Sequence, residues 1–201
     1  MPNPERAIGS LLVLGGARSG KSCYAQDLAE ASGLRPLLIA TAQAHDAEMG
    51  ERIARHAASR DARWTVVEEP VALAVALCRE ARADCIVVVD CATLWLSNLL
   101  LKNDNLAAAT QDLAQSVAGL AGPVIFVSNE VGAGIVPENA LARAFRDAHG
   151  LLNQALAEAC EAVVLINAGI ALCLKPSPEP KFCFCHPTSR SGVANPEATP
   201  Y

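Results

Sequence analysis

The stretch Leu11-Leu12-Val13-Leu14-Gly15-Gly16-Ala17-Arg18-Ser19-Gly20-Lys21-Ser22 decides the fold. Its first four residues are apolar without alternation, as in a strand buried on both faces, and a helix-period segment, 21–31, follows directly. Gly15 to Ser22 fits G-x-x-x-x-G-K-[ST] in the strand–loop–helix setting that this motif requires. The glycines let the backbone curl so that successive N–H groups face an anion, and the helix N-terminus adds partial positive charge. Lys21 reaches the β and γ oxygens of a triphosphate, and the Ser22 hydroxyl suits Mg²⁺. An ordinary Gly-rich turn is the competing reading, and the full pattern in its setting argues against it.

Working outward, four more short apolar runs punctuate the chain, at 36–40, 85–89, 124–127 and 162–166. Between them, helical periodicity predicts helices over 46–59, 70–81, 94–101, 106–121 and 137–159, the last with a break allowed. Five buried strands alternating with helices predict an α/β fold. Its mostly parallel sheet is P-loop NTPase-like (RecA-like), with helices on both faces. Its 201 residues suffice for one sizeable domain, taken as 1–175. Residues 176–201 hold six of the twelve prolines and keep no period of 2 or 3.6, so they read as a Pro-rich tail outside the core, without fixed structure.

Composition narrows the partners. The chain is 52% apolar but only 4% aromatic, so Ala, Val, Leu and Ile build the core. A formal net charge of -5 argues against a general nucleic-acid binder, which needs a cationic face. No apolar run reaches membrane-span length and no secretory leader opens the sequence, so a cytoplasmic location is expected. Six of the eight cysteines, Cys23, Cys78, Cys85, Cys91, Cys160 and Cys173, are scattered through apolar or helical segments and read as reduced, small, buried side chains. Cys183, Cys185 and His186 cluster in the tail but do not complete a tetrahedral zinc site.

Asp90 ends the third run, placing a carboxylate at the C-terminal edge of a buried strand, where open α/β sheets bind ligands. It suits a Mg²⁺ role beside Ser22, directly or through water; helix N-capping is the alternative. Asp90 is followed by Cys-Ala-Thr, and the fourth run ends Ser128-Asn129-Glu130. Neither the Asp-x-x-Gly nor the Asn-Lys-x-Asp pattern of a switch GTPase is therefore present. Thr41-Ala42-Gln43 leaves the second strand edge, and the next predicted helix carries Glu48, Arg52 and His56 at steps of four on one face. Arg52 one turn from His56 disfavours the imidazolium and attracts phosphate, leaving a neutral ring beside an anionic substrate.

Read in order, these segments carry a resemblance. Gly15 to Ser22, Ala40-Thr-Ala-Gln43, Glu48-Met with Arg52-Ile-Ala-Arg-His56, and Trp64-Thr-Val-Val-Glu68 come first. Asp90-Cys-Ala-Thr-Leu-Trp-Leu-Ser-Asn-Leu, Ser128-Asn-Glu-Val-Gly and Phe145-Arg-Asp-Ala-His-Gly-Leu-Leu-Asn-Gln154 follow. Over about residues 10–175 the chain resembles the bifunctional adenosylcobinamide kinase/adenosylcobinamide-phosphate guanylyltransferases of cobalamin biosynthesis. The resemblance implies two reactions. ATP or GTP first phosphorylates adenosylcobinamide. GTP then donates GMP, through a guanylyl-histidine, to adenosylcobinamide phosphate.

The resemblance places the guanylylated histidine at His56, with Lys21 serving both steps. It implies nucleotide contacts from Gly15, Gly16, Ala17, Arg18, Ser19, Gly20, Lys21 and Ser22 in the loop, and from Thr41, Ala42 and Gln43. It adds Ala57, Ala58, Ser59 and Arg60, then Glu68, which by itself reads as a charged loop residue, and Asp90. Mg²⁺ is the implied cofactor, and a homo-oligomer, a trimer, the implied assembly. The pattern departs at Asp90, where relatives often carry the longer Glu. Residues 129–139 read as a corrinoid-contacting or subunit-contacting loop, or as a plain turn. Arg143, Arg146, Asp147 and Asn153 read as a polar helix face.

Overall fold

The computed structural model describes residues 8–43 and 62–176. The predicted helix 46–59, with Glu48, Arg52, His56, Ala57, Ala58, Ser59 and Arg60, lies outside the described residues, as does the tail cluster Cys183, Cys185 and His186.

Chain order begins with β1 (Ser10–Gly15), α1 (Lys21–Ala31), β2 (Arg35–Ala40), β3 (Thr65–Glu68) and α2 (Leu73–Glu80). It continues with β4 (Cys85–Asp90), α3 (Ala92–Leu101), α4 (Leu106–Val117), β5 (Val124–Asn129), α5 (Ala140–Ala159), β6 (Ala162–Asn167) and β7 (Ile170–Lys175). The strands form one seven-stranded sheet in the order β3-β2-β4-β5-β1-β6-β7. Every neighbouring pair is parallel except β6–β7.

The continuous apolar runs are explained by helices on both faces. On one face Leu11, Val13, Leu38, Val88, Ile125 and Val127 pack against Ala25 and Ala29 of α1, whose small side chains let that helix lie close to the sheet. Trp64 closes this side, and its indole N–H donates to Glu30 Oε1 at 2.9 Å. On the other face Leu12, Val87, Val89 and Phe126 meet Leu73, Leu77, Trp95, Leu96, Leu113, Leu152 and Leu156 from α2 to α5.

Seven strands replace the five expected from the sequence. The two additions are the edges, where one side of the ladder is open and burial leaves no continuous apolar signature. β3 is four residues long and mostly exposed. Glu68 therefore ends a strand instead of sitting in a loop. β7 is exposed along nearly its whole length, including Ile170, Leu172 and Leu174. Cys173 is exposed with it, as are Cys23 on α1 and Cys78 on α2, so of the six cysteines expected to be buried only Cys85, Cys91 and Cys160 are. Ala168 and Gly169, at φ 50° and 79°, make the two-residue turn that folds β7 back along β6. Lys175 then anchors β7, its ammonium donating to Ala157 O, Glu158 O and Cys160 O at the C-terminus of α5.

Helix ends moved for local reasons. α2 begins at Leu73, three residues after Pro70, because the Glu69 carboxylate accepts from Val71 N and Ala72 N and holds that segment as a turn. α5 runs unbroken for 20 residues, and its start is fixed by Asn139, whose side chain accepts from Leu141 N and Ala142 N.

Candidate functional site: a phosphate loop at the sheet edge

β1 lies inside the sheet between β5 and β6, so the loop at its end is held on both sides. Gly15 has φ 154°, and a Cβ there would lie 2.4 Å from Ile166 O and 2.6 Å from Ser19 Oγ, so no larger residue fits without a shift. Gly20 is the N-cap of α1 in the left-handed region, at φ 102°. The loop is also braced from outside. Gly169 N donates to Ser19 O at 2.9 Å, so the β6–β7 turn buttresses it, and Glu130 N donates to Gly15 O at 2.9 Å from the end of β5. The run 167–169, Asn-Ala-Gly, was the turn signal in the sequence for that hairpin.

The loop is built to receive an anion. α1 has no side-chain cap and no acidic residue in its first turn, so its leading N–H groups are offered by the backbone alone. Lys21, 7% exposed, is a buried cation, and its ammonium donates to Gly16 O at 2.6 Å. The Ser19 hydroxyl is buried with no hydrogen-bond partner among the described residues. A stranded hydroxyl costs about 1–3 kcal/mol, which a phosphate oxygen relieves. Ser22 follows in the first turn of α1, half-buried.

Asp90 ends β4 on the α1 side of the sheet, opposite Ala40 on β2 and Val127 on β5. Ala40 also faces Glu68 on β3, so Glu68, Ala40 and Asp90 form one row across three strands at the edge that carries the loop. The N-cap of α3 is Cys91, without a side-chain cap bond, so Asp90 is not spent on capping. Burial and the adjacent Asp90 carboxylate push the Cys91 thiol up to about 11, which removes it as a nucleophile. Thr41 is fully buried. Its hydroxyl donates to Cys91 O at 2.7 Å and accepts from Cys91 N at 2.9 Å, tying β2 to the turn after Asp90. Asn98 donates to Thr41 O at 2.8 Å. Ala42 and Gln43 continue, half-buried, from that tie.

A second polar cluster was not legible in the sequence. His149 and Asn153 of α5 are buried, although Asn153 reads in sequence as part of a polar face with Arg143, Arg146 and Asp147. The structure separates them. Asn153 accepts from Ser128 Oγ at 2.7 Å and donates to Asn129 O at 3.0 Å, whereas Arg143 donates to Pro137 O and Glu138 O and Arg146 pairs with Asp147. His149 Nε2 lies 3.1 Å from Thr93 Oγ1 and 3.3 Å from Ser128 Oγ. Burial lowers the His149 pKa, with the Glu130 charge pulling weakly the other way.

That direction gives a stability prediction. The unfolded chain takes up the His149 proton near pH 6.5, before the folded one does. The contribution of the neutral ring is complete above that pH and is lost as pH falls towards the depressed folded value. Urea unfolding at pH 7.5 and 5.5 is expected to show this loss in the wild type and a smaller pH dependence in His149→Gln. An unchanged pH dependence in the variant would contradict the lowered pKa.

An apolar cavity lies elsewhere. About 620 Å³ lies between α4 and α5, lined by Leu106, Ala107, Ala148, Leu151 and Ala155, on the side of the sheet away from α1. Its walls, which also include Thr110, Gln111, Gln115 and Glu158, carry no lysine or arginine to meet a triphosphate.

Comparison with known proteins fits this geometry. Residues 11–174 match the family model described as cobinamide kinase / cobinamide phosphate guanyltransferase. The chain belongs to this family. The bifunctional adenosylcobalamin biosynthesis protein CobP of Pseudomonas aeruginosa is 51% identical over 169 residues, 83% of this chain and 98% of that protein. The protein of the same description, CobU, from Escherichia coli K12 is 37% identical over 180 residues, 82% of this chain and 99% of that one. A type III secretion system ATPase shares the fold alone, with TM-score 0.52 and 11% identity over 83% of this chain and 57% of its own. The family is bifunctional, pairing kinase and guanylyltransferase activities, and the sheet is of the P-loop NTPase type. Among the described residues no helix is long and apolar enough to cross a membrane.

Proposed function

We propose that this chain phosphorylates adenosylcobinamide with ATP or GTP and then transfers GMP from GTP to adenosylcobinamide phosphate, through a guanylyl-histidine at His56. The observation that carries the reading is the braced loop in a chain of this family, with its buried lysine, its uncapped helix and a Ser19 hydroxyl that has no partner among the described residues.

In the first step the substrate hydroxyl oxygen bonds to the γ-phosphorus while the bond to the nucleoside diphosphate breaks and the hydroxyl proton passes to solvent. Lys21 and the α1 N-terminus hold the β and γ oxygens against the charge that develops there. In the second, a ring nitrogen of His56 bonds to the α-phosphorus of GTP and pyrophosphate leaves. A phosphate oxygen of adenosylcobinamide phosphate then displaces the histidine. Dividing the transfer in this way replaces one displacement between two anions with two displacements at a neutral nucleophile or leaving group.

Ser22 and Asp90 are the residues that would hold Mg²⁺. Among the described residues no cluster of three His, Cys, Asp or Glu side chains forms a metal cage. One carboxylate, one hydroxyl and the substrate phosphates are the usual Mg²⁺ ligands in such sites. When bound, the ion neutralises phosphate charge. Ala42, Gln43, Ala57, Ala58, Ser59, Arg60 and Glu68 complete the proposed nucleotide site. The reading includes a cytoplasmic homo-oligomer, a trimer by family resemblance.

The test is incubation with α-labelled GTP and Mg²⁺. Label stable to alkali and lost in acid is expected on the protein, as for a phosphoramidate. No label on the wild type would overturn the transferase half of the reading.

A further inference from the structure

The cavity between α4 and α5 has a half-buried or exposed lining, so it is a groove on the surface and not a sealed void. Leu106, Thr110 and Ala114 line it one turn apart on α4, and Ala148, Leu151 and Ala155 do the same on α5. Leu151 stands 63% exposed on its wall. An apolar groove of about 620 Å³ has room for two phenyl rings, and an apolar patch left to water usually marks a contact.

The path of the chain says what covers it. α4 and α5 end at the same edge of the molecule, where Val117 and Ala159 line one smaller hollow. β7 ends there too. Lys175 pairs with Val163 at the start of β6, and its ammonium donates to Ala157 O, Glu158 O and Cys160 O. Glu158 also lines the groove, and among the described residues it is the one charged member of that lining. The described residues end at 176, so the residues that follow start beside the end of the groove.

Those residues carry what the groove lacks. Phe182 and Phe184 are two of the four phenylalanines in the chain, whereas segments that never pack are poor in aromatic residues. Pro176, Pro178 and Pro180 favour an extended approach at about 3.1 Å per residue. From 176 to 182 that spans roughly 19 Å, more than the about 10–12 Å width of a helix, so the segment can cross the end of α5. Lys181, immediately before Phe182, brings a positive charge to the Glu158 end of the groove and to the C-terminus of α5. The family match ends at 174, so the segment lies outside the matched domain.

We propose that the segment after β7 folds back over the end of α5 and seats Phe182 and Phe184 in the groove between α4 and α5, with Lys181 facing Glu158. Burial of the two rings offsets the ordering of the connecting residues. The docked segment staples α4 to α5, the helix that carries His149 and Asn153. The inference does not depend on the reactions proposed above.

Hydrogen exchange of the full chain tests this. In Phe182→Ser/Phe184→Ser the α4 amides of residues 106–115 are expected to exchange about tenfold faster than in the wild type, with α1 and the central strands within about twofold. Leu151→Asp, on the exposed wall of the groove, is expected to give the same α4 acceleration. Combining it with the double substitution is expected to add no more than about twofold, because both remove one contact. Unchanged α4 exchange in the phenylalanine variant overturns the proposal. If Leu151→Asp alone then speeds α4 and lowers the mass of the assembly, a second copy covers the groove instead. Faster exchange in every element would mark a loosened fold and overturn it as well.

Discussion

Lys21→Ala is expected to abolish both reactions, lowering phosphoryl transfer and guanylyl-enzyme formation each by roughly 10²–10³-fold or more. The ammonium is buried at the N-terminus of α1 and bonded to a loop carbonyl, so it enters the triphosphate site already desolvated and aimed. An alanine leaves the β- and γ-phosphate charge to the backbone dipoles and the bound Mg²⁺, without the cation that touches both phosphates. The fold is expected to survive, because Gly16 is exposed and water can replace the lysine at its carbonyl. Nucleotide titration, the two transfer assays and thermal unfolding check these points together. A variant that melts normally and keeps either transfer would show that the two reactions do not share this cradle.

The sequence signals that were legible are those with a strong local cause. The buried strands showed as uninterrupted apolar runs because both faces of the sheet are covered, and the loop showed because its glycines, lysine and serine each answer a separate demand. β3 and β7 were missed because an edge strand needs only one buried face and one ladder, so four mixed residues or an exposed apolar hairpin arm leave little trace. The buried polar cluster around His149 and Asn153 was missed for a different reason. Thr93, Ser128, His149 and Asn153 come from three elements, and their spacing in sequence encodes nothing about their meeting. Asn153 even pointed the wrong way. Its neighbours Arg143, Arg146 and Asp147 made it look like part of a solvated face, and only the rotation of α5 turns it inward.

His56→Ala is expected to separate what Lys21→Ala joins. Guanylyl label should fall to background, while phosphorylation of adenosylcobinamide continues within a few-fold of wild type. The argument is chemical. γ-Phosphoryl transfer to a hydroxyl needs positioning and charge neutralisation, which the loop, Lys21 and the Asp90 edge supply without a protein nucleophile. GMP transfer to a phosphomonoester brings two anions together, and a covalent phosphoramidate intermediate relieves that approach. Arg52, four residues earlier on the predicted helix, favours the neutral ring that the attack requires. His56 and Arg52 lie outside the described residues, so this prediction rests on sequence spacing and on family membership. Label with α-labelled GTP and a separate γ-phosphoryl transfer assay measure the two halves on one preparation. Undiminished label in the variant would move the nucleophile to another side chain, whereas parallel loss of both activities in a folded variant would make His56 part of the shared cradle.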